Sequence, residues 1–209
     1  MDSGSVLNPT GAQGVLGDVQ PAHAAPDDLA AGLRAGDPSA FSAIVRAHQR
    51  GLFFHVLRMV RRDDDLARDL VQKVFLQAWS KRASFRGDAS LRTWLLRIAT
   101  NLTLNELRRA HRHKELALAP APDGTPQELG TVDATAFESL ETARQREQLA
   151  AAVQTLPPKQ RAVVLLRLYE DLSFPEIGEV LEITANNAKV HFHHATKTIK
   201  RRLAREGAA

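Results

Sequence analysis

What most constrains this chain is the place where its helical periodicity stops. After Lys114 the sequence runs ELALAPAPDGTPQELGTVDATAFESLE, with three prolines and two glycines. Its charges are Glu115, Asp123, Glu128, Asp133, Glu138 and Glu141, and no base offsets them. Such a stretch cannot bury an apolar face, so it reads as a flexible acidic linker over 114–143. A chain of 209 residues cut there makes two small domains, about 27–113 and 144–205. Both flanks repeat apolar residues at helical spacing, so the expected fold class is all-α. Residues 1–26, rich in Gly, Ala and Pro without periodicity, read as a disordered tail.

In the first domain, Asp28 to Leu33 makes a short amphipathic turn or two. Asp37 and Pro38 open the next helix, with Pro in its first turn. Phe41, Ile44, Val45, His48, Leu52, Phe53, Val56, Leu57 and Val60 mark its buried side, and Arg61 to Asp64 is a polar break. His48 and His55 lie among apolar residues and read as core or rim side chains, not ligands. From Asp65 to Trp79 a helix buries Leu66, Leu70, Val74, Phe75 and Ala78 and shows Arg68, Asp69, Gln72 and Lys73 outside. The next stretch, Phe85 to Arg112, begins with Arg86-Gly87-Asp88, a turn whose Asp can cap the helix after it. Leu91, Trp94, Leu95, Ile98 and Leu102 face a core; Arg97, Asn101, Asn105 and Arg108 form a second stripe, with Arg109, Arg112 and Lys114 beyond. Arginine attracts phosphate and asparagine pairs with base edges, so this face suits nucleic acid. Ordinary surface arginines would look similar.

The second domain starts with a helix over Arg144–Thr155, stopped by Leu156-Pro157-Pro158. Lys159 to Glu170 comes next, with Ala162, Val163, Leu165, Leu166 and Tyr169 as core. Ser173 with Glu176 three residues on is a capping box, and Pro175 lies in the first turn. Ile177, Val180 and Leu181 are that helix's apolar side. Glu182-Ile183-Thr184 then turns into a last helix, about Ala185 to Arg205, with Thr184 as N-cap. Two helices on so short a turn form a helix-turn-helix. Ala188, Phe192, Ala195, Ile199 and Leu203 point inward; Asn186, Val190, His193, His194, Lys197, Lys200 and Arg201 point outward, with Lys189 and His191 on the flanks. No acid occurs from Lys189 to Arg205. A recognition helix sets its N-terminal residues on base edges and its basic end near phosphates.

The chain has no cysteine, which excludes disulfides and thiol chemistry and fits a reducing cytoplasm. It shows no export signal and no membrane-length apolar run. His191 and His194 are three apart with no carboxylate or thiol to complete a metal set, so no metal or other cofactor is expected. No phosphate-cradling loop, nucleophile elbow or catalytic carboxylate pair is recognisable, so an enzyme is not expected. Imidazoles on a DNA-facing helix would make binding pH-sensitive near their ordinary pKa of ~6.5.

With those residues in view, the chain resembles bacterial sigma factors of the sigma-70 family, in the extracytoplasmic-function (ECF) group. The motifs are DLARDLVQKVFLQAW at 65–79, FRGDASLRTWLLRIATN at 85–101, LPPKQRAVVLLRLYEDLSFPEIGEVL at 156–181 and NNAKVHFHHATKTIKRRL at 186–203. The resemblance implies that 27–113 is sigma region 2, docking on the clamp helices of core RNA polymerase through Asp69, Gln72 and Lys73. It implies that Phe85, Arg86, Asp88, Arg97, Asn101, Asn105, Arg108 and Arg112 meet the melted −10 strand. Region 4, 144–205, would read the −35 duplex through Asn186, Lys189, Val190, His191, His193, His194, Lys197, Lys200 and Arg201, beside the polymerase flap. Lys73 and Arg68 stand where the family usually has acids, His191 and His194 where bases are frequent, and Glu182 where a turn Gly is common. An anti-sigma factor is expected as a further partner, and membrane insertion is not. The competing readings are an autonomous helix-turn-helix regulator that needs no polymerase and a helical adaptor that binds no DNA.

Two turns of duplex separate the contact regions by roughly 70 Å, more than the ~30 Å relaxed span of a linker of this length. Two readers so tethered need a larger scaffold to hold them apart.

Overall fold

The computed structural model describes residues 26–116 and 143–206. The expectations of a disordered tail and of an acidic linker fall almost entirely outside the described residues. Among those described, the regular structure is helical: α1 Pro26–Ala35, α2 Pro38–Met59, α3 Asp64–Ser80, α4 Leu91–Leu116, α5 Ala143–Gln154, α6 Pro158–Leu168, α7 Phe174–Leu181 and α8 Ala185–Glu206, with a short 3-10 turn at Arg82–Ser84.

The helix boundaries follow local chemistry. Asp37 caps α2 by accepting from the Ser39 amide and hydroxyl, at 2.8 Å each. Those two bonds hold its carboxyl below the usual carboxylate range. After Met59 the chain reverses through Arg61 and Arg62, both left-handed (φ 58° and 65°). Asp63 then caps α3 by accepting from the Leu66 amide at 3.0 Å. α1 runs longer than a turn or two, and its Leu33 is fully buried. The helix α4 starts at Leu91, several residues after the Phe85 turn. Its cap is Ser90, whose Oγ accepts from the Thr93 amide at 3.0 Å, and not Asp88, which is exposed. Gly87 takes the positive φ (85°) that lets the preceding loop turn.

In the second half, Ser173 and Glu176 close the expected capping box. Its bonds hold the Glu176 carboxyl below the usual range. Thr184 caps α8 by accepting from the Asn187 amide at 3.1 Å. Between α7 and α8 the backbone passes so close to Gly178 that a Cβ there would sit 2.7 Å from the Ile183 carbonyl oxygen. Only glycine allows this approach.

Helices α2, α3 and α4 pack on one another, and α8 packs on α5, α6 and α7. The two halves also meet. α7 and α6 lie on α4, and α6 lies on α2, so that one buried apolar cluster runs through both halves, from Leu33 to Ile199. The sequence suggests two separated readers; tertiary packing joins them, with α7 against α4 and buried side chains of both halves in one cluster.

Candidate nucleic-acid interface

The basic stripe of α4 comes out as spaced in the sequence, but it is not an open surface. Arg97 and Asn105 are exposed and Asn101 is half-buried. Arg97 Nη2 donates to Glu182 Oε1 at 3.0 Å, and Asn101 Nδ2 donates to the Val180 carbonyl at 3.2 Å. Both partners belong to α7 or its C-cap. The stripe therefore forms one wall of a cleft of about 1090 Å³. Lys81, Arg86, Arg108 and Lys159 add positive charge along it, and Glu179 and Glu182 border it from α7. The cleft thus carries both signs of charge: basic residues lie along the α4 side, and acids stand opposite on α7 and its cap.

The loop before α4 splits the residues expected at the melted strand. Phe85 is buried, its ring 5.2 Å from that of Trp94. It holds the loop in place, while Arg86 and Asp88 are exposed at the cleft rim. Arg108 and Arg112 are exposed further along α4. Trp94, half-buried and lining the cleft, is an aromatic face that helical spacing assigns only to the core.

On α8, Asn186, Lys189, Lys197, Lys200 and Arg201 are exposed. Val190, His193 and His194, expected outward, are half-buried instead. The two imidazoles meet edge to face with centroids 5.9 Å apart. His191 is half-buried as well, and burial, with Lys159 and His194 nearby, pushes its pKa below the ordinary value. Both causes disfavour the charged form of the ring. The basic end has its own small pocket between His193, Thr196, Lys197, Lys200 and Arg201.

On α3, Asp69, Gln72 and Lys73 are exposed on one face, as expected. Lys73 Nζ lies 2.6 Å from Asp69 Oδ2, and Arg68 pairs with Asp64 at the same distance, so this face largely neutralises itself. Leu76 stands beside them and is 66% exposed, the most of any large apolar side chain described. The signal that could have found it is phase: it is the large apolar residue of α3 that falls off the buried stripe.

Two further residues carry weight that the sequence does not suggest. Arg161, 1% exposed, donates to the carbonyls of Met59, Gln154 and Leu156 at 2.5, 2.9 and 3.0 Å. It thereby satisfies the ends of α2 and α5 together. Burial, with Arg61 nearby, lowers its pKa to about 10. Glu170, also buried, reaches His55 Nδ1 at 3.3 Å and Arg92 Nη2 at 2.6 Å, and His55 Nε2 lies 3.0 Å from Thr100 Oγ1. His55 is thus a core histidine with polar partners. His48, half-buried beside Arg92, has its pKa lowered first by burial and then by that charge.

Among the described residues no group of three or more His, Asp or Glu side chains could hold a metal ion, and no helix is long and apolar enough to cross a membrane.

Both halves match known proteins. Residues 44–113 match the family model described as Sigma-70 region 2, and residues 146–199 match Sigma-70, region 4. The chain is 32% identical over 176 residues to the ECF RNA polymerase sigma factor SigM of Mycobacterium tuberculosis, covering 84% of this chain and 83% of that one. It is 30% identical over 175 residues to the RNA polymerase sigma-H factor of Pseudomonas aeruginosa, covering 82% and 90%. Among solved structures, CnrH in complex with the cytosolic domain of CnrY matches with a TM-score of 0.58 at 25% identity, covering 84% of this chain and 95% of that one.

Proposed function

The chain belongs to the sigma-70 family of RNA polymerase sigma factors, in its ECF group, and on that premise we propose a division of labour between its two halves. The protein associates with core RNA polymerase, directs it to particular promoters and helps open the −10 region. Residues 27–113 act as region 2 and 144–205 as region 4, with 114–143 as the connector. Its place of action is the cytoplasm, where polymerase and promoters are, and its work is recognition, not catalysis.

The α3 face presents Asp69, Gln72 and Lys73, together with Leu76, to the clamp helices. Asn101 and Asn105 supply amides for unstacked base edges, and Arg97, Arg108 and Arg112 supply charge for the strand's phosphates. Arg86 and Asp88 hold the rim where an extruded base would lodge, Phe85 holding their loop from beneath. Extrusion costs a few kcal/mol, which contacts of this kind must offset. On α8, Asn186, Lys189, Val190, His191, His193 and His194 serve base edges, and Lys197, Lys200 and Arg201 serve phosphates. An anti-sigma factor is the expected regulator.

One observation supports this reading over a stand-alone DNA-binding regulator. A basic amide-bearing stripe on α4 and a recognition helix with no acid before its last residue sit in one chain, the first suited to single strands and the second to duplex. Run-off transcription with purified core enzyme tests it. Promoter-specific product that depends on this chain is expected. Sequence-specific duplex binding without core, and no product with it, would favour the autonomous regulator.

A further inference from the structure

We propose that α1 belongs to the strand-capture site, its Arg34 supplying a phosphate contact beside the Gly87 turn. This rests on the sigma reading of the Phe85–Ser90 loop given above. The match to Sigma-70 region 2 begins at residue 44 and so leaves α1 out.

The last turn of α1 is firmly placed. Gly36 takes the left-handed backbone (φ 76°) that ends the helix. The Gly36 amide donates to the Leu33 carbonyl at 3.0 Å, and the Asp37 amide donates to the Gly32 carbonyl at 2.9 Å. These two bonds make a Schellman closure, which satisfies carbonyls that a helix end otherwise leaves open. Leu33 anchors the turn from beneath, 1% exposed. A Cβ on Gly36 would meet Arg82 Nε at 3.1 Å, so the Arg82 side chain packs directly against this turn. Arg82 in turn donates through Nη1 to the Trp79 carbonyl at 3.0 Å, its guanidinium 4.7 Å from the Trp79 ring centroid. It ties the end of α1 to the end of α3, and the loop that carries Arg86, Gly87 and Asp88 starts from there.

Arg34 reaches from that turn onto the loop. It is exposed, and its Nη1 lies 3.6 Å from the point a Cβ on Gly87 would occupy. Gly87 bears no side chain, so the guanidinium lies against bare main chain. Arg86, the residue before Gly87, is exposed as well. Neither arginine enters an ion pair among the described residues, not even with Asp88, whereas Arg92 and Arg97 are held by Glu170 and Glu182.

A strand that lodges a base in this loop carries a phosphate on each side of that base. Two guanidiniums beside a bare turn meet those phosphates without first giving up an ion pair. Guanidinium is weakly hydrated and matches phosphate oxygens as a fork. A phosphate contact carries no sequence information, so Arg34 adds grip and leaves the choice of base to the loop and to α4.

The test uses the full-length chain assembled with core enzyme. Its probe is a fork-junction DNA with a single-stranded non-template −10 segment, taken from a promoter that gives product in the run-off assay. Fluorescence anisotropy reads the affinity of wild type, Arg34→Gln and Arg34→Lys between about 0.1 and 1 M salt. One single-strand phosphate contact contributes about 0.7 to the slope of log K against log salt. Arg34→Gln should lose that slope, binding roughly fourfold more weakly at about 0.15 M salt and almost equally at about 1 M. Arg34→Lys should keep the wild-type slope, and all three should rank forks with altered −10 bases in the same order. An unchanged slope in Arg34→Gln overturns the contact. So does equal weakening by both substitutions at every salt, which marks a role in holding the loop alone, and so does a changed order of base preference. A wild-type chain that gives no product on any promoter overturns the sigma reading itself, so the two failures are told apart.

Discussion

Leu76 offers a quantitative test of where the α3 face gets its affinity. The charged neighbours Asp69 and Lys73 are already paired at 2.6 Å. Exposed helix pairs of this kind contribute ~0.3–0.5 kcal/mol, and a partner gains little by replacing one with another. Leu76 is different: 66% of it faces water. Full burial of a leucine is worth about 1.5–3 kcal/mol, so covering the exposed two-thirds yields about 1–2 kcal/mol. Leu76→Ala keeps Cβ and should forfeit most of that, weakening core-polymerase binding about fivefold to tenfold. Stability should move by less than about 0.5 kcal/mol, since the side chain packs against little in the free protein. Competition of labelled wild-type chain against the variant for core enzyme reads the first quantity, and urea unfolding followed by circular dichroism reads the second. Affinity within twofold of wild type refutes the idea that apolar contact dominates docking. A stability loss above about 1 kcal/mol would show that Leu76 belongs to the fold and not to the docking face.

Arg161→Met removes three hydrogen bonds to buried carbonyls at the ends of α2 and α5. After allowing for the charge no longer buried, it should cost about 3 kcal/mol in urea unfolding, and a loss under 1 kcal/mol would contradict this role. Asn105→Ala, at an exposed position on α4, should leave −35 duplex binding unchanged while lowering permanganate-detected opening of the −10 region about tenfold; equal opening would remove Asn105 from the reader. The depressed pKa values of His48 and His191 mean that the unfolded chain takes up protons at these positions before the folded one does. Stability should therefore be highest above about pH 7 and fall as pH drops through ~6.5 toward the lower folded values. Urea midpoints that stay flat or rise between pH 7.5 and 5.5 would contradict both shifts.

Much of the fold was legible because it is written in short-range chemistry. Asp37 before Pro38, Ser173 three residues before Glu176 and Thr184 three before Asn187 each close bonds within one helical turn. Their outcome depends on neighbours alone. Where two candidates compete locally, sequence is weaker: Asp88 and Ser90 both suit a cap, and loop geometry after Gly87 selects Ser90. Spacing finds the residues of the α4 stripe, but it says nothing of what lies opposite. Helical phase puts His193 and His194 outward, yet neighbouring helices bury half of each.

Arg161 and Glu170 show the limit most clearly. Arginine and glutamate are ordinarily surface residues, and nothing near either in the chain calls for burial. Their burial depends on partners from the other half, such as Met59 for Arg161 and Arg92, 78 residues away, for Glu170. The sequence by itself determined most of the helices among the described residues and those caps where one candidate stands alone, because helical period and capping act over three or four residues. Only the tertiary structure decided that α7 closes on α4, because that contact is a sum of long-range burial and hydrogen bonds in which no single residue type or spacing announces its partner.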